Sequence, residues 1–94
     1  MNSNDVIIRP VISEKTTGMM EDNKFVFKVA FKANKLMVKK AINELFGVRP
    51  EKVNVMIVRG KKRRLRYKFG NRSAWKKAIV TLKPGEKIEI FDAQ

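Results

Sequence analysis

The sequence predicts an α+β fold: a mainly antiparallel sheet of about four strands, with two helices packed on it and a long basic β-hairpin extension. Three observations lead to this prediction. Segments with apolar residues at every second position alternate with segments of helical periodicity. The 94 residues suffice for one hydrophobic core and not for two, so we expect a single domain over residues 1–94. Ten of the 22 basic residues fall in the window 59–77, which contains no acid and accounts for the hairpin extension.

The N-terminal segment predicts a short edge strand followed by a short helix. Residues 5–8 are the candidate strand, which Pro10 ends. Ser13 is a good N-cap, and Glu14 is well placed in the first turn of a helix that runs to about Met20. A turn over residues 21–23 then leads into the second strand.

The segment 24–32 predicts a strand with one aromatic face. Phe25, Phe27, Val29 and Phe31 occupy alternate positions on one face, and the other face carries Lys24, Lys28 and Lys32. Aromatic residues on a strand can stack on RNA bases. We favour a core position for these residues, because the chain has few other large side chains to bury.

The next segment predicts a helix that Asn34 caps and that ends at about Phe46, with Gly47 as its C-terminal stop. Its apolar face comprises Val38, Ala41, Ile42 and Leu45. The lysines on its other side are either a solvated surface or a secondary RNA contact. These lysines are Lys35, Lys39 and Lys40.

Two further strands are predicted at residues 53–58 and 75–82. The first is apolar on both faces, which favours an interior position in the sheet. The second places Ala78, Val80 and Leu82 on one face. The two strands follow each other along the chain, so we expect them to pair through the basic hairpin.

The window 59–77 predicts binding to nucleic acid. The net charge of +13 favours a polyanionic partner, and outside the window the basic residues outnumber the acidic ones only by twelve to nine. In an extended hairpin, cationic side chains alternate with apolar ones, so one face suits phosphates and the other can stack on unpaired bases. Trp75 either stacks on RNA or anchors the base of the hairpin. The candidate RNA-binding residues are Arg59, Lys61, Lys62, Arg63, Arg64, Arg66, Tyr67, Lys68, Arg72, Trp75, Lys76 and Lys77.

Several functional classes are disfavoured. The chain contains no cysteine and no histidine, which removes thiolate chemistry and the two commonest transition-metal ligands. No nucleophile–base pair or phosphate-binding glycine loop is present, so we expect no enzymatic activity, no cofactor, no metal and no small-molecule substrate. The longest apolar run, Val55 to Val58, is far too short for a signal peptide or a membrane span, so we expect a cytoplasmic protein without membrane insertion.

Three blocks of sequence resemble one family, the large-subunit ribosomal protein 23 family. The segment Lys76-Lys77-Ala78-Ile79-Val80-Thr81-Leu82-Lys83, followed by Phe91, resembles the family signature. The segment Arg9-Pro10-Val11-Ile12-Ser13-Glu14-Lys15 is similar to its N-terminal element. Val53-Asn54 with Gly60-Lys61-Lys62-Arg63-Arg64 is similar to its middle block. The blocks stand in the order of the family and cover nearly the whole chain.

The resemblance implies a structural protein of the bacterial ribosome that binds large-subunit rRNA beside the exit of the polypeptide tunnel. It also implies contacts with neighbouring large-subunit proteins, and a docking site for trigger factor and the signal recognition particle. In bacterial members the glutamate of the Ser-Glu-Lys element contacts the factor, and that position is Glu14 here. Judged from the residues alone, Glu14 is a first-turn carboxylate that complements the helix dipole.

Two rival hypotheses remain. A free-standing RNA-recognition module would carry a glycine-aromatic pattern on a central strand, and residues 53–58 contain no aromatic residue. A polybasic peripheral membrane protein would carry an amphipathic helix with bulky apolar anchors beside the basic run, whereas strands flank that run here.

Overall fold

A computed structural model describes residues 2–59 and 74–88, and in these residues an antiparallel sheet supports the helices. The sheet has four strands in the spatial order β1-β2-β4-β3, and every neighbouring pair is antiparallel. The predicted α+β class is therefore confirmed. The elements along the chain are α1 (Ser3–Val6), β1 (Ile7–Pro10), α2 (Glu14–Met20), β2 (Lys24–Val29), α3 (Lys35–Phe46), β3 (Lys52–Val58) and β4 (Trp75–Thr81).

The main helix, α3, begins and ends where its sequence predicts. The side-chain oxygen of Asn34 accepts a hydrogen bond from the Met37 amide at 2.9 Å, which satisfies one free amide of the first turn. Gly47 adopts the left-handed conformation with φ of 72°, and its amide donates to the Asn43 carbonyl at 2.9 Å. None of the helices in the described residues is long and apolar enough to cross a membrane.

The hydrophobic core lies between α3 and one face of the sheet. Phe27 is fully buried at its centre, and its ring centroid is 5.8 Å from that of Phe46 at the end of α3. Phe25 and Val29 are buried beside it, so three of the four residues of the predicted aromatic face belong to the core. The buried residues of the core are Val6, Ile7, Phe25, Phe27, Val29, Ala33, Val38, Ala41, Ile42, Val53, Ala78, Val80, Leu82 and Ile88.

Two apolar positions of the prediction are not buried. Strand β2 ends at Val29 rather than at residue 32, because the chain turns and the Ala33 amide donates to the Ala30 carbonyl at 2.9 Å. Phe31 lies in this turn and is 53% exposed, so its predicted core position is wrong. Leu45, near the end of α3, is 37% exposed, so the buried part of the helix face comprises only the first three predicted residues.

The predicted interior position of residues 53–58 is also wrong. Among the strands that the structure describes, β3 lies at an edge, and the interior position belongs to β4, which pairs with both β2 and β3. Met56 and Ile57 on β3 are 39% and 44% exposed. An edge strand that keeps apolar side chains on both faces has the same sequence pattern as a buried strand.

The N-terminal edge strand exists, with different bounds. Residues Ser3–Val6 form one helical turn, and β1 runs from Ile7 to Pro10 at the edge of the sheet beside β2. The proline is tolerated there because the outer side of an edge strand needs no amide donor.

Candidate nucleic-acid interface

The base of the predicted hairpin is formed by paired strands. β3 and β4 pair in register up to Val58 opposite Trp75, which confirms the predicted pairing of the two strands that flank the hairpin. Trp75 is partly buried, and Arg59, the residue after β3, is exposed. The other candidates of the hairpin lie outside the described residues: Lys61, Lys62, Arg63, Arg64, Arg66, Tyr67, Lys68 and Arg72.

Lys76 lies on the core face of β4 and is bonded within the protein. Its register partners are Val29 on β2 and Ile57 on β3. Its ammonium group donates to the Phe31 carbonyl at 3.1 Å and to the Ala33 carbonyl at 2.8 Å. The same group lies 5.9 Å from the centroid of the Phe31 ring. Lys76 therefore links β4 to the turn that precedes α3.

Lys77 lies on the opposite face of the sheet, away from α3, because successive residues of a strand point to opposite sides. Lys77 is the register partner of Lys28 on β2, and Lys28 is the register partner of Arg9 on β1. Three cations thus meet across β1, β2 and β4. The register of β1 shifts between Ile7 and Arg9, and the Arg9 guanidinium donates to the Pro10 carbonyl at 3.4 Å. Arg9 and Lys28 were not selected from the sequence, because only the pairing register brings them beside Lys77.

The strand residues carry positive charge and no negative charge. None of the residues in the four described strands is acidic, and six are basic. Register places Lys76 on the core face and the other five on the face away from α3. We call these five residues the cationic sheet face; they are Arg9, Lys24, Lys28, Lys52 and Lys77.

A second cationic surface lies on the outside of α3. Lys35, Lys39 and Lys40 are all exposed, as predicted for either role. Lys39 and Lys40 line a surface depression with Leu36, which is 75% exposed, and with residues 43 and 49. Residue 49 is an arginine just beyond α3 and outside the basic window, so the charge pattern of the sequence does not point to it. The core and the sheet separate this surface from the cationic sheet face.

Glu14 is exposed at the start of α2. The cap of this helix is built without it: the Thr16 amide donates to the Ser13 hydroxyl at 3.2 Å, and the Ser13 amide donates to the Thr16 hydroxyl at 2.8 Å. α2 joins the end of β1 to the start of β2, so it lies towards the end of the sheet away from the Val58–Trp75 pair. Glu14 and the base of the hairpin are therefore well separated.

Comparison with known proteins identifies the family. The sequence model of the family described as "Ribosomal protein L23" matches residues 5–90. The chain belongs to the ribosomal protein L23 family. It is accordingly a structural component of the ribosome and not an enzyme.

Curated members of the L23 family match the chain over nearly its full length. The protein of Herpetosiphon aurantiacus, named "Large ribosomal subunit protein uL23", is 52% identical over 96 residues, which cover 98% of both chains. The uL23 protein of Treponema denticola is 51% identical, again with 98% of each chain covered. The uL23 protein of Aquifex aeolicus is 50% identical over 94% of this chain and 89% of its own. The resemblance in the three sequence blocks is thus confirmed at the level of the family.

Proposed function

We propose that this L23 protein is built into the large subunit of a bacterial ribosome in the cytoplasm, and that it binds large-subunit rRNA beside the exit of the polypeptide tunnel. The acid-free window 59–77 carries the rRNA part of this proposal, because ten cations in nineteen residues favour a polyanionic partner. The place beside the tunnel exit is what membership of the family implies. The relatives, which are named as large-subunit proteins, support the choice of subunit. Neighbouring large-subunit proteins would form the remaining contacts.

The hairpin would bind RNA through its backbone and its shape. Arginine can hold a phosphate with two parallel hydrogen bonds, and the hairpin has four arginines between residues 60 and 73. Tyr67 would stack on an unpaired base. Arg59 and Lys77 would add phosphate contacts at the base of the hairpin, close to the Val58–Trp75 pair. The lysines of α3 would make the secondary RNA contact.

Salt dependence tests the rRNA contact. Arg63, Arg64, Arg66 and Lys68 are changed to Ala, and binding to large-subunit rRNA is measured over a salt series. Each lost phosphate contact lowers the slope of log K against log salt by about 0.7–0.9, so the slope should become less steep by about 3. The control removes the same charge from exposed lysines elsewhere, with Lys15, Lys32, Lys83 and Lys87 changed to Ala. A hairpin variant that binds like this control would refute the hairpin contact.

The protein would also form a docking site for trigger factor and the signal recognition particle. Glu14 would carry the trigger factor contact, since its carboxylate is exposed and the capping box of α2 does not use it. The position of α2, far from the base of the hairpin, would leave this carboxylate accessible while the hairpin is held in RNA.

A further inference from the structure

The cationic sheet face contains a row of like charges that the fold of the free protein does not need. Arg9, Lys28 and Lys77 are register partners across three adjacent strands. Side chains directly opposite each other in an antiparallel pair have Cβ atoms about 4.5–5.5 Å apart, and like charges at that spacing destabilise the sheet. Neighbouring strands lie about 4.8 Å apart, which is less than the Debye length of about 8 Å at physiological ionic strength, so salt screens the repulsion between neighbouring charges of the row only in part.

No acidic side chain in the described strands can neutralise the charges of the row. The strands β1 to β4 contain no Asp or Glu, and Lys24 and Lys52 extend the positive charge along the same face. Every described residue that register places on this face keeps exposed surface, with the exception of Val26. Register therefore places five cations and no acid on this face of the described strands, with polar and apolar residues between them, while Val26 beside Lys24 and Lys28 on β2 is covered by other parts of the protein.

We propose that the cationic sheet face is a second RNA-binding surface, which holds a stretch of phosphate backbone across the Arg9–Lys28–Lys77 row. This inference rests on the proposed rRNA function and assigns an additional contact to it. The face is continuous with the base of the hairpin, because Trp75 lies two residues before Lys77 on the same side of β4. RNA bound at the Val58–Trp75 end of the sheet would therefore lie beside the row, and phosphate contacts there would fix the orientation of the sheet on the RNA.

RNA accounts for this surface better than a lipid bilayer does. Membrane association of a basic surface needs bulky apolar side chains that project beside the cations. Next to Arg9, Ile8 in β1 is 51% exposed, and next to Lys77, Met56 in β3 is 39% exposed. These two side chains belong to strands at opposite edges of the sheet, and Ile79 and Trp75 between them are partly buried, so among the described residues no single apolar patch stands beside the cations. Cations held in a row about 10 Å long can neutralise phosphates of a nucleic-acid backbone and release their counterions.

A matched pair of triple variants tests the proposal. The row variant carries Arg9→Gln, Lys28→Gln and Lys77→Gln; the control carries Lys15→Gln, Lys83→Gln and Lys87→Gln, which are exposed positions outside the strands. Binding to large-subunit rRNA is measured over a salt series with the wild-type protein, both triple variants and the hairpin variant. The row variant should lower the steepness of the slope by about 2, and the control by less than about 1.

A second measurement uses the free protein. Removing the like-charge row should raise the midpoint of thermal unfolding at low salt by about 2–5 °C relative to the control, and added salt should shrink the difference. An equal or lower midpoint would contradict the repulsion on which the inference depends.

The outcomes separate this inference from the proposed function. If the wild-type protein shows no salt-dependent binding to rRNA, the proposed function fails, and the second surface fails with it. If the wild type binds, the hairpin variant is weakened and the row variant behaves like the control, the inference is overturned together with the phosphate contact proposed for Lys77, and the hairpin contact with rRNA stands. If the row variant keeps the wild-type slope but loses sedimentation with phosphatidylserine vesicles, the face is a lipid-binding surface and the inference is again overturned.

Discussion

Lys76 and Lys77 are adjacent in the sequence and have opposite environments. The Lys76 ammonium donates to two backbone carbonyls of the turn before α3, whereas Lys77 stands beside Lys28 on the other face. In the sequence the two lysines are indistinguishable members of the basic window 59–77. The direction of each side chain from β4 gives them different roles, one in the fold and one in the charge of the outer face.

A substitution at Lys76 should therefore affect stability more than RNA binding. Lys76→Met keeps the aliphatic stem and removes two hydrogen bonds to carbonyls, so we expect the free energy of unfolding to fall by about 1–2 kcal/mol. The rRNA salt slope should stay within about 0.5 of the wild-type value. Urea denaturation and the salt series measure the two effects.

Lys77→Met is the matched control for this prediction. It should leave stability unchanged or slightly higher and lower the steepness of the salt slope by about 0.7–0.9. The reverse result, with a lower slope in Lys76→Met and lower stability in Lys77→Met, would show that the two roles have been assigned to the wrong residues.

At the scale of elements, α2 presents Glu14 without depending on it. Since Ser13 and Thr16 form the capping box, Glu14→Ala should lower stability by less than about 1 kcal/mol, the usual size of a dipole contribution. We expect binding of trigger factor to ribosomes containing this variant to weaken about tenfold, with normal rRNA binding. A cosedimentation titration of trigger factor measures the loss.

Glu21→Ala is the control for this prediction, because it removes another exposed carboxylate at the other end of α2. It should leave trigger factor binding near the wild-type level. Equal affinities for all three proteins would show that the role inferred for Glu14 from the family does not apply here.

Elements with local signals could be predicted from the sequence. The start of α3 at Asn34 and its end at Gly47 were predictable, because an N-cap and a left-handed glycine form hydrogen bonds with residues only a few positions away in the sequence. The position of β3 at the edge of the sheet could not be predicted. Strand order depends on which strands pair with β4, and an apolar run in the sequence does not indicate its pairing partners. Phe31 continues the alternation of β2, yet the turn closed by Ala33 removes it from the strand.

The candidate site was predictable to a similar extent. The basic window 59–77 is visible as composition, because like charges adjacent in sequence need no fold to be recognised. The Arg9–Lys28–Lys77 row is not visible, since its members are far apart along the chain and meet only through the pairing of β1, β2 and β4. Contacts that depend on register are the part of a binding surface that sequence reading misses.

At the scale of the whole molecule, one side of the sheet holds the fold together and the other side carries charge. Phe27 lies at the centre of the first side, fully buried and against the ring of Phe46. The sequence left open whether this phenylalanine belongs to a core or to a base-stacking platform. Its burial beneath α3 places it in the core, where no RNA base can reach it.

Phe27→Ala should consequently damage the entire domain rather than the RNA interface. Truncation of a buried phenylalanine costs about 3–5 kcal/mol, a large share of the roughly 5–15 kcal/mol that stabilises a typical domain. We expect a fall of at least 10 °C in the midpoint of thermal unfolding, followed by circular dichroism. Phe31→Ala, the exposed control, should change stability by less than about 1 kcal/mol.

At a temperature low enough for the variant to fold, Phe27→Ala should bind rRNA with the wild-type salt slope, because the cations stand on other surfaces. A variant that melts like the wild type and loses rRNA binding would instead place Phe27 on the RNA-binding surface.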